Sequence, residues 1–307
     1  MVRSGAGAPT ARGWKKSRGL RTGSVLHVVG GSSWLYPNAV RISCRAGGPL
    51  VSDMTWKTAI AEVQVDDVVV RGHRLSELVG SVTYSDMAFL LIRGSLPSAP
   101  ERATLEAILV SLADHGISPS SIVARTLASC GTPVQASISG ALLSIADWHG
   151  GSGEEVAQLL TSLATDDEAA LREACSTLVR DRKSRREQVP GFGHPQHTDG
   201  DPRARQLLRI ATEHGVAATY CTALATLGAV LADTTGRESL RQPNVTGAIA
   251  GILLDLGFPW TAVRGVVMSA RSLGLTAHVV EELEQGNKWR HVSSEDVEYT
   301  GPPAPAV

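Results

Sequence analysis

Residues 191–205 read "GFGHPQHTDGDPRAR": two glycines bracket a phenylalanine, a histidine follows at once, and an Asp-Pro-Arg closes the stretch. Three chemistries compete for such a segment: a phosphate cradle, a metal site, or a loop that aims one histidine at a substrate. The first fails. No G-x-x-x-x-G-K-[ST] is present, and without a preceding strand or a third glycine there is no dinucleotide fingerprint. His194-x-x-His197 with Asp199 and Asp201 offers metal-ligand types, but a proline and a flexible stretch lie between them, a poor basis for a tetrahedral site. What survives is an acid–base histidine, His194, held by a glycine turn. A helix start follows, with Pro202 near its first position and Arg203 in its first turn. Histidine exchanges protons near neutral pH, and arginine grips a carboxylate with two parallel hydrogen bonds. The stretch therefore reads as one proton carrier plus one carboxylate clamp.

Working outward, the chain is helical almost throughout. "ERATLEAILVSLADHG" (101–116) places apolar residues at 105, 108, 109 and 112, a helical stripe that ends on His115-Gly116. "VQASISGALLSIADWHGG" (134–151) runs apolar and small and stops on His149-Gly150-Gly151. "DDEAALREACSTLVRDRKSRREQ" (166–188) has acids at its start and bases at its end, as the helix dipole favours. Further helical patterns cover 201–213, 215–232, 245–256, 260–273 and 275–285. The exception is "EVQVDDVVVRGH" (62–73), whose alternating valines predict a short β-hairpin. Three histidines thus fall at helical ends beside glycine, in "ADHG", "DWHGG" and "GFGH", where a ligand can approach the backbone closely. Taken singly, each could equally be a surface or capping histidine.

With 307 residues the chain can bury a sizeable core, as one large domain or two unequal ones. The longest apolar run, "VTGAIAGILLDLGFPW", is interrupted by Asp255 and falls short of the ~18 residues that span a bilayer. Cys44, Cys130, Cys175 and Cys221 are far apart and form no C-x-x-C pair, which predicts reduced thiols and a cytoplasmic protein. The net charge of −1 hides an asymmetry: residues 1–53 carry eight Lys/Arg against the single acid Asp53. That segment lacks any period and reads as a basic, disordered extension, with ordered patterning starting at Met54 in "MTWKTAIAEV". The acidic balance of the rest argues against nucleic acid as a partner.

Five ordered segments between about residues 54 and 303 resemble the citrate synthase superfamily, in its short citryl-CoA lyase-like branch and the citrate-synthase-homology module of ATP-citrate lyase. They are "LADHGISPSS", "SIADWHGGSGEEV", "GFGHPQHTDGDPRA", "MSARSLGLTAHVVEEL" and "EQGNKWRHVSSEDVEYTGPP". The resemblance implies a mostly α fold with a large helical domain (54–150 and 250–307) interrupted by a smaller helical one (151–249). It implies that His149 hydrogen-bonds the thioester carbonyl oxygen and that His194 exchanges a proton with the oxygen of a 2-oxo acid. It further implies that His115, Arg203 and Arg271 hold carboxylates, with Arg290 contributed across a homodimer interface. The partners it implies are an acyl-CoA and a small polycarboxylate, with coenzyme A as part of the substrate and no tightly bound cofactor or metal. The basic run Arg182-Lys183-Arg185-Arg186 could meet the coenzyme A phosphates, or be a solvated helix end.

One position departs from the family pattern. The family's catalytic base is an aspartate in N-V-D-G, and the matching stretch here is "RQPNVTGAIAGILLDLGFP", which puts Thr246 in its place. A threonine hydroxyl cannot remove an α-proton from a thioester, because its conjugate base is too strong to form. Cleavage of a citryl-CoA-type thioester tolerates this loss better than synthesis does. The competing expectations are a citrate or 2-methylcitrate synthase, a condensation that makes its nucleophile by decarboxylation, and a non-catalytic citrate or CoA binder.

Overall fold

The computed structural model describes residues 56–193 and 200–304. The basic segment 1–53, Cys44, His194, His197 and Asp199 lie outside the described residues. The predicted hairpin forms and gains a third strand. β1 (Ala61–Val63) pairs antiparallel with β2 (Val68–Val70), in the register Ala61 opposite Val70. β3 (His73–Arg74) pairs on the other side of β2. Val70 buries its side chain with Leu78 of α1 (Leu75–Leu78) and Leu90 of α2 (Tyr84–Arg93), which roots the sheet in the helical body.

The rest is mostly α-helical, as the sequence predicts: α3 (Ala99–Ala113), α4 (Pro119–Ser129), α5 (Val134–Leu143), α6 (Gly153–Leu163), α7 (Glu168–Ser184), α8 (Pro202–Glu213), α9 (Thr219–Thr235), α10 (Val245–Asp255) and α11 (Val263–Glu284), of which α4 and α6 occupy stretches to which the sequence reading assigns no helix. α10 is apolar on every side, the pattern of a helix surrounded by others, and it packs against α6, α8 and α9 at the centre of the main core. Asp255, which breaks the apolar run, ends this helix. Its carboxylate accepts the N–H groups of Ala218 (2.8 Å), Tyr220 (3.0 Å) and Cys221 (3.0 Å), so it caps α9, whose own first residues supply no side-chain cap. A smaller core joins α4 and α5 to the C-terminal half of α11.

Several boundaries differ from the sequence reading: α9 begins at Thr219 rather than 215, α7 ends at Ser184 rather than 188, and two differences have a packing consequence. The two predicted helices 260–273 and 275–285 merge into one, α11, preceded by a 3-10 turn at Trp260–Ala262, because Gly274 is not a break but a contact. A Cβ there would lie 2.0 Å from the Ala113 carbonyl oxygen, so glycine lets α11 press onto the end of α3. The 134–151 segment ends its helix at Leu143, and His149 sits on a separate turn that leads into α6. Cys130, Cys175 and Cys221 are free thiols, and among the described residues no helix is long and apolar enough to cross a membrane.

Candidate active site

Four helices of eleven or twelve residues begin at one cavity of about 450 Å³. Its wall includes Ser118 and Pro119 at the start of α4, Ser152 and Gly153 at α6, Arg203 at α8, and Asn244, Val245 and Thr246 at α10. Each N-terminus carries roughly half a positive charge, although several of its N–H groups are already capped, Ser120 by His149, Arg203 and Val245 by Asp201, and Gly247 by Asn244; the field at the cavity favours an anionic ligand. His115, His149, Arg203, Thr246 and Arg271 all line this cavity, although the sequence spreads them over more than 150 residues.

His149 is positioned by the "DWHGG" turn. The N–H groups of His149 (2.8 Å) and Gly151 (2.9 Å) both donate to the Ala146 carbonyl. Gly150 adopts φ +75, and a Cβ on Gly151 would fall 2.5 Å from the Ala146 carbonyl, so two glycines are required. Arg264 clamps the outside of this turn. It bonds the Asp147 carboxylate (3.0 Å) and the Gly151 carbonyl (3.0 Å), and pairs with Glu154 in the first turn of α6 (3.2 Å).

The ring orientation follows from Ser120. Its N–H donates to His149 Nε2 (3.3 Å), and its hydroxyl lies 2.9 Å from the same atom. With the Nε2 lone pair occupied, the neutral ring carries its proton on Nδ1, which leaves Nδ1–H as the donor for a ligand. Burial, and then the charges of Arg271 and His115, hold the His149 pKa below its ordinary 6.5. Neutral His149 therefore persists to more acidic pH than a free histidine would. The contribution of neutral His149 should hold as pH falls through 6.5 and decline only below that value, a profile read from kcat/KM against pH, which reports the free protein; a His149-dependent decline centred above 6.5 would contradict the assignment.

The "GFG" and "NVTG" segments form one structure. Asn244 Nδ2 donates to the Gly193 carbonyl (2.8 Å), its backbone N–H donates to the Gly191 carbonyl (2.9 Å), and its side-chain oxygen caps α10 at Gly247 (3.0 Å). A Cβ on Gly247 would stand 2.5 Å from the Gly191 carbonyl oxygen. Gly247→Ala gains at most ~1 kcal/mol of helix propensity and costs about 1–3 kcal/mol of overpacking against backbone. A lower denaturant midpoint is the expected result.

Asp201 joins the starts of α8 and α10. It caps α8 through the Arg203 N–H (3.0 Å), accepts the Val245 N–H (3.0 Å), and takes Nε (3.0 Å) and Nη2 (2.9 Å) of Arg203 in a fork. The parallel bonds foreseen for a ligand are thus made to Asp201, and they fix the Arg203 side chain where it lines the cavity. Arg271, only 9% exposed, makes no hydrogen bond or ion pair among the described residues. Burial lowers its pKa, the Asp114 carboxylate opposes that, and Arg203 adds to it. Asp114 is itself held below the usual carboxylate range: burial raises it, but the Gly116 N–H, the His278 ring and the His115 N–H outweigh burial.

Arg290 is not on this wall. Its guanidinium pairs with the fully buried Glu282, and its N–H donates to Ser129 Oγ (2.9 Å). Asp147, held by Arg264, is the single carboxylate among the described lining residues. A second cavity of about 570 Å³ shares Gly193 with the first and is lined by Arg182, Lys183, Arg186 and Arg237 beside Phe192. Arg185 turns instead to Asp181 (2.5 Å) and Glu187 (3.6 Å).

Sequence reasoning missed Ser120, Arg264 and the hub role of Asp201. The Ser-Pro start of α4 was a visible signal for a helix N-terminus, but nothing local ties Ser120 to a histidine 29 residues away. Arg264 sits seven residues before Arg271, two turns along the same face of α11, and that spacing could have paired them.

The family profile "Citrate synthase, C-terminal domain" matches residues 99–291. Citryl-CoA lyase from Hydrogenobacter thermophilus superposes with a TM-score of 0.75 at 31% identity, over 83% of this chain and 98% of that one. ATP citrate lyase from Methanothrix soehngenii, solved with citrate and coenzyme A, shares the fold at 20% identity with a TM-score of 0.71, over 81% of this chain and 42% of that one. By sequence, a citrate synthase from Heyndrickxia coagulans is 28% identical over 222 residues, covering 68% of this chain and 55% of that protein. The chain spans about half the length of the sequence relatives it matches.

Proposed function

Because the chain belongs to the citrate synthase family, whose profile covers more than half of it, we propose that it cleaves a citryl-CoA-type thioester into an acyl-CoA and a 2-oxo acid such as oxaloacetate. The observation that carries this reading is the pairing of a fixed Nδ1–H donor on His149 with a wall that has no free carboxylate among the described residues. Such a site stabilises an enolate but does not make one by removing a proton. Cleavage supplies the enolate directly: the tertiary alcohol loses its proton, the adjacent carbon–carbon bond breaks, and the electron pair passes to the thioester carbonyl.

In this reading His149 Nδ1–H holds the developing enolate oxygen. His194 takes the alcohol proton, and water protonates the released carbon. Arg203, Arg271 and His115 hold the carboxylates, a role favoured by the four helix N-termini around them. The basic cavity beyond Gly193 receives the coenzyme A phosphates through Arg182, Lys183 and Arg186. A homodimer, with Arg290 serving its partner, and closure of two helical domains over the substrate belong to the same proposal.

The test is incubation of the purified full chain with citryl-CoA and mass-spectrometric detection of acetyl-CoA. Release of acetyl-CoA with oxaloacetate supports the reading. Tight binding of citrate and coenzyme A by calorimetry, with citryl-CoA left intact, would replace it with a non-catalytic binder.

A further inference from the structure

We propose a second reaction at this cavity: loss of CO2 from a CoA thioester that bears a carboxylate on its α-carbon. The inference rests on the reading of the cavity as an enolate-stabilising site, and it extends the substrate class to acyl groups that generate the enolate without leaving an oxo acid.

The wall beside His149 decides it. Gly153, the first residue of α6 after the "DWHGG" turn, sits where a Cβ would lie 2.9 Å from Val263 and 3.6 Å from the Thr246 methyl group. Thr246 thus faces the start of α6 just beyond His149, among Val245, Ile249, Val263 and Val267. No side chain in that group is charged. Among the described residues, the carboxylates of Asp147 and Glu154 are committed to Arg264 and that of Asp201 to Arg203.

Among the described residues, a carboxylate on the α-carbon at this wall meets neutral, mostly apolar surfaces and no uncommitted like charge. Such surroundings disfavour the carboxylate relative to neutral CO2. The arginines and helix N-termini elsewhere in the cavity still draw an anionic ligand in.

The step balances without any further reagent. The bond between the α-carbon and the carboxylate carbon breaks, and CO2 leaves. The electron pair moves into the α-carbon and thioester carbonyl as an enolate, whose oxygen accepts from His149 Nδ1–H. One proton from water then gives the acyl-CoA, so each turnover converts a carboxyacyl-CoA and one proton into an acyl-CoA and CO2. If a 2-oxo acid occupies the arginine side, the same enolate can attack its ketone carbon instead.

The experiment uses the full chain with malonyl-CoA labelled with carbon-14 in its free carboxylate, and counts released CO2. In parallel it follows citryl-CoA cleavage and exchange of the acetyl-CoA methyl protons with heavy water. The expected result is CO2 release well above buffer, formation of acetyl-CoA, and no methyl exchange. Thr246→Asp brings a like charge against the substrate carboxylate and should slow CO2 release about tenfold or more, while conferring methyl exchange. That gain of exchange also certifies that the variant is folded.

Citryl-CoA cleavage without CO2 release overturns the proposal and leaves the reading of the site standing. Failure of both reactions overturns both. Methyl exchange by the unaltered protein reveals a base in the cavity and removes the ground for the proposal.

Discussion

Replacing His149 by alanine is expected to lower kcat for citryl-CoA cleavage about 10²–10³-fold, the effect of losing one preorganised donor to a developing oxyanion, with little change in KM. The ground-state thioester carbonyl is a weak acceptor and the enolate oxygen a strong one, so Nδ1–H contributes mainly in the transition state. The ring is held by one backbone N–H and one hydroxyl of Ser120, and its turn by Ala146 and Arg264, so the donor is fixed before substrate arrives. The comparison variant is Ser120→Ala. It keeps the N–H to Nε2 and removes only the hydroxyl, so it should cost about tenfold or less, as one neutral hydrogen bond of ~0.5–1.5 kcal/mol would. Steady-state kinetics on both variants check the order; equal losses, or a His149→Ala effect confined to KM, would refute the assignment.

Asp201→Ala is expected to be the most destabilising single change, by about 3–5 kcal/mol, since it removes one partner of a buried ion pair. Asp201 is 2% exposed, and one side chain there satisfies the Arg203 guanidinium, the α8 N-terminus and the Val245 N–H at the start of α10. Burial raises its pKa, but the Arg203 bonds and charge and the two N–H groups outweigh burial, so it lies below the ordinary 3.8. The sign follows. Because the folded pKa is depressed, this contribution is fully present above 3.8 and is lost as pH falls through the folded value. Chemical denaturation at neutral pH should show the full loss, and the gap between variant and parent should narrow on strong acidification. A variant as stable as the parent at neutral pH would mean that Arg203 and α10 find other partners.

Much of this was legible in the sequence because it is local. Helix periods, the Pro202 start and the valine alternation are set by residues a few positions apart; the Pro202 start and the hairpin appear where predicted, and the helices form with some ends shifted. The unforeseen features depend on distant backbone. Gly274 looks like a helix stop in sequence and is a packing contact because Ala113 lies against it. His149 looks like the end of a helix and instead belongs to the turn opening the next one. The identity of the cavity residues came from ordered motifs, whereas the reason they act together, four helix N-termini meeting at one point, exists only in three dimensions. The Arg203 fork illustrates the same limit: arginine chemistry predicts two parallel bonds to a carboxylate, and only the fold reveals that Asp201 takes them.

In the proposed reaction the enolate comes from carbon–carbon cleavage and takes its proton from water, and among the described residues no uncommitted carboxylate lines the cavity to form it from a C–H bond. Citryl-CoA cleaved by the full chain in heavy water tests this most directly, with the acetyl-CoA product weighed by mass spectrometry at early times. The account predicts one deuterium in the acetyl methyl group and no more as incubation continues. Intact citryl-CoA, or a methyl group that acquires a second and third deuterium, would contradict it.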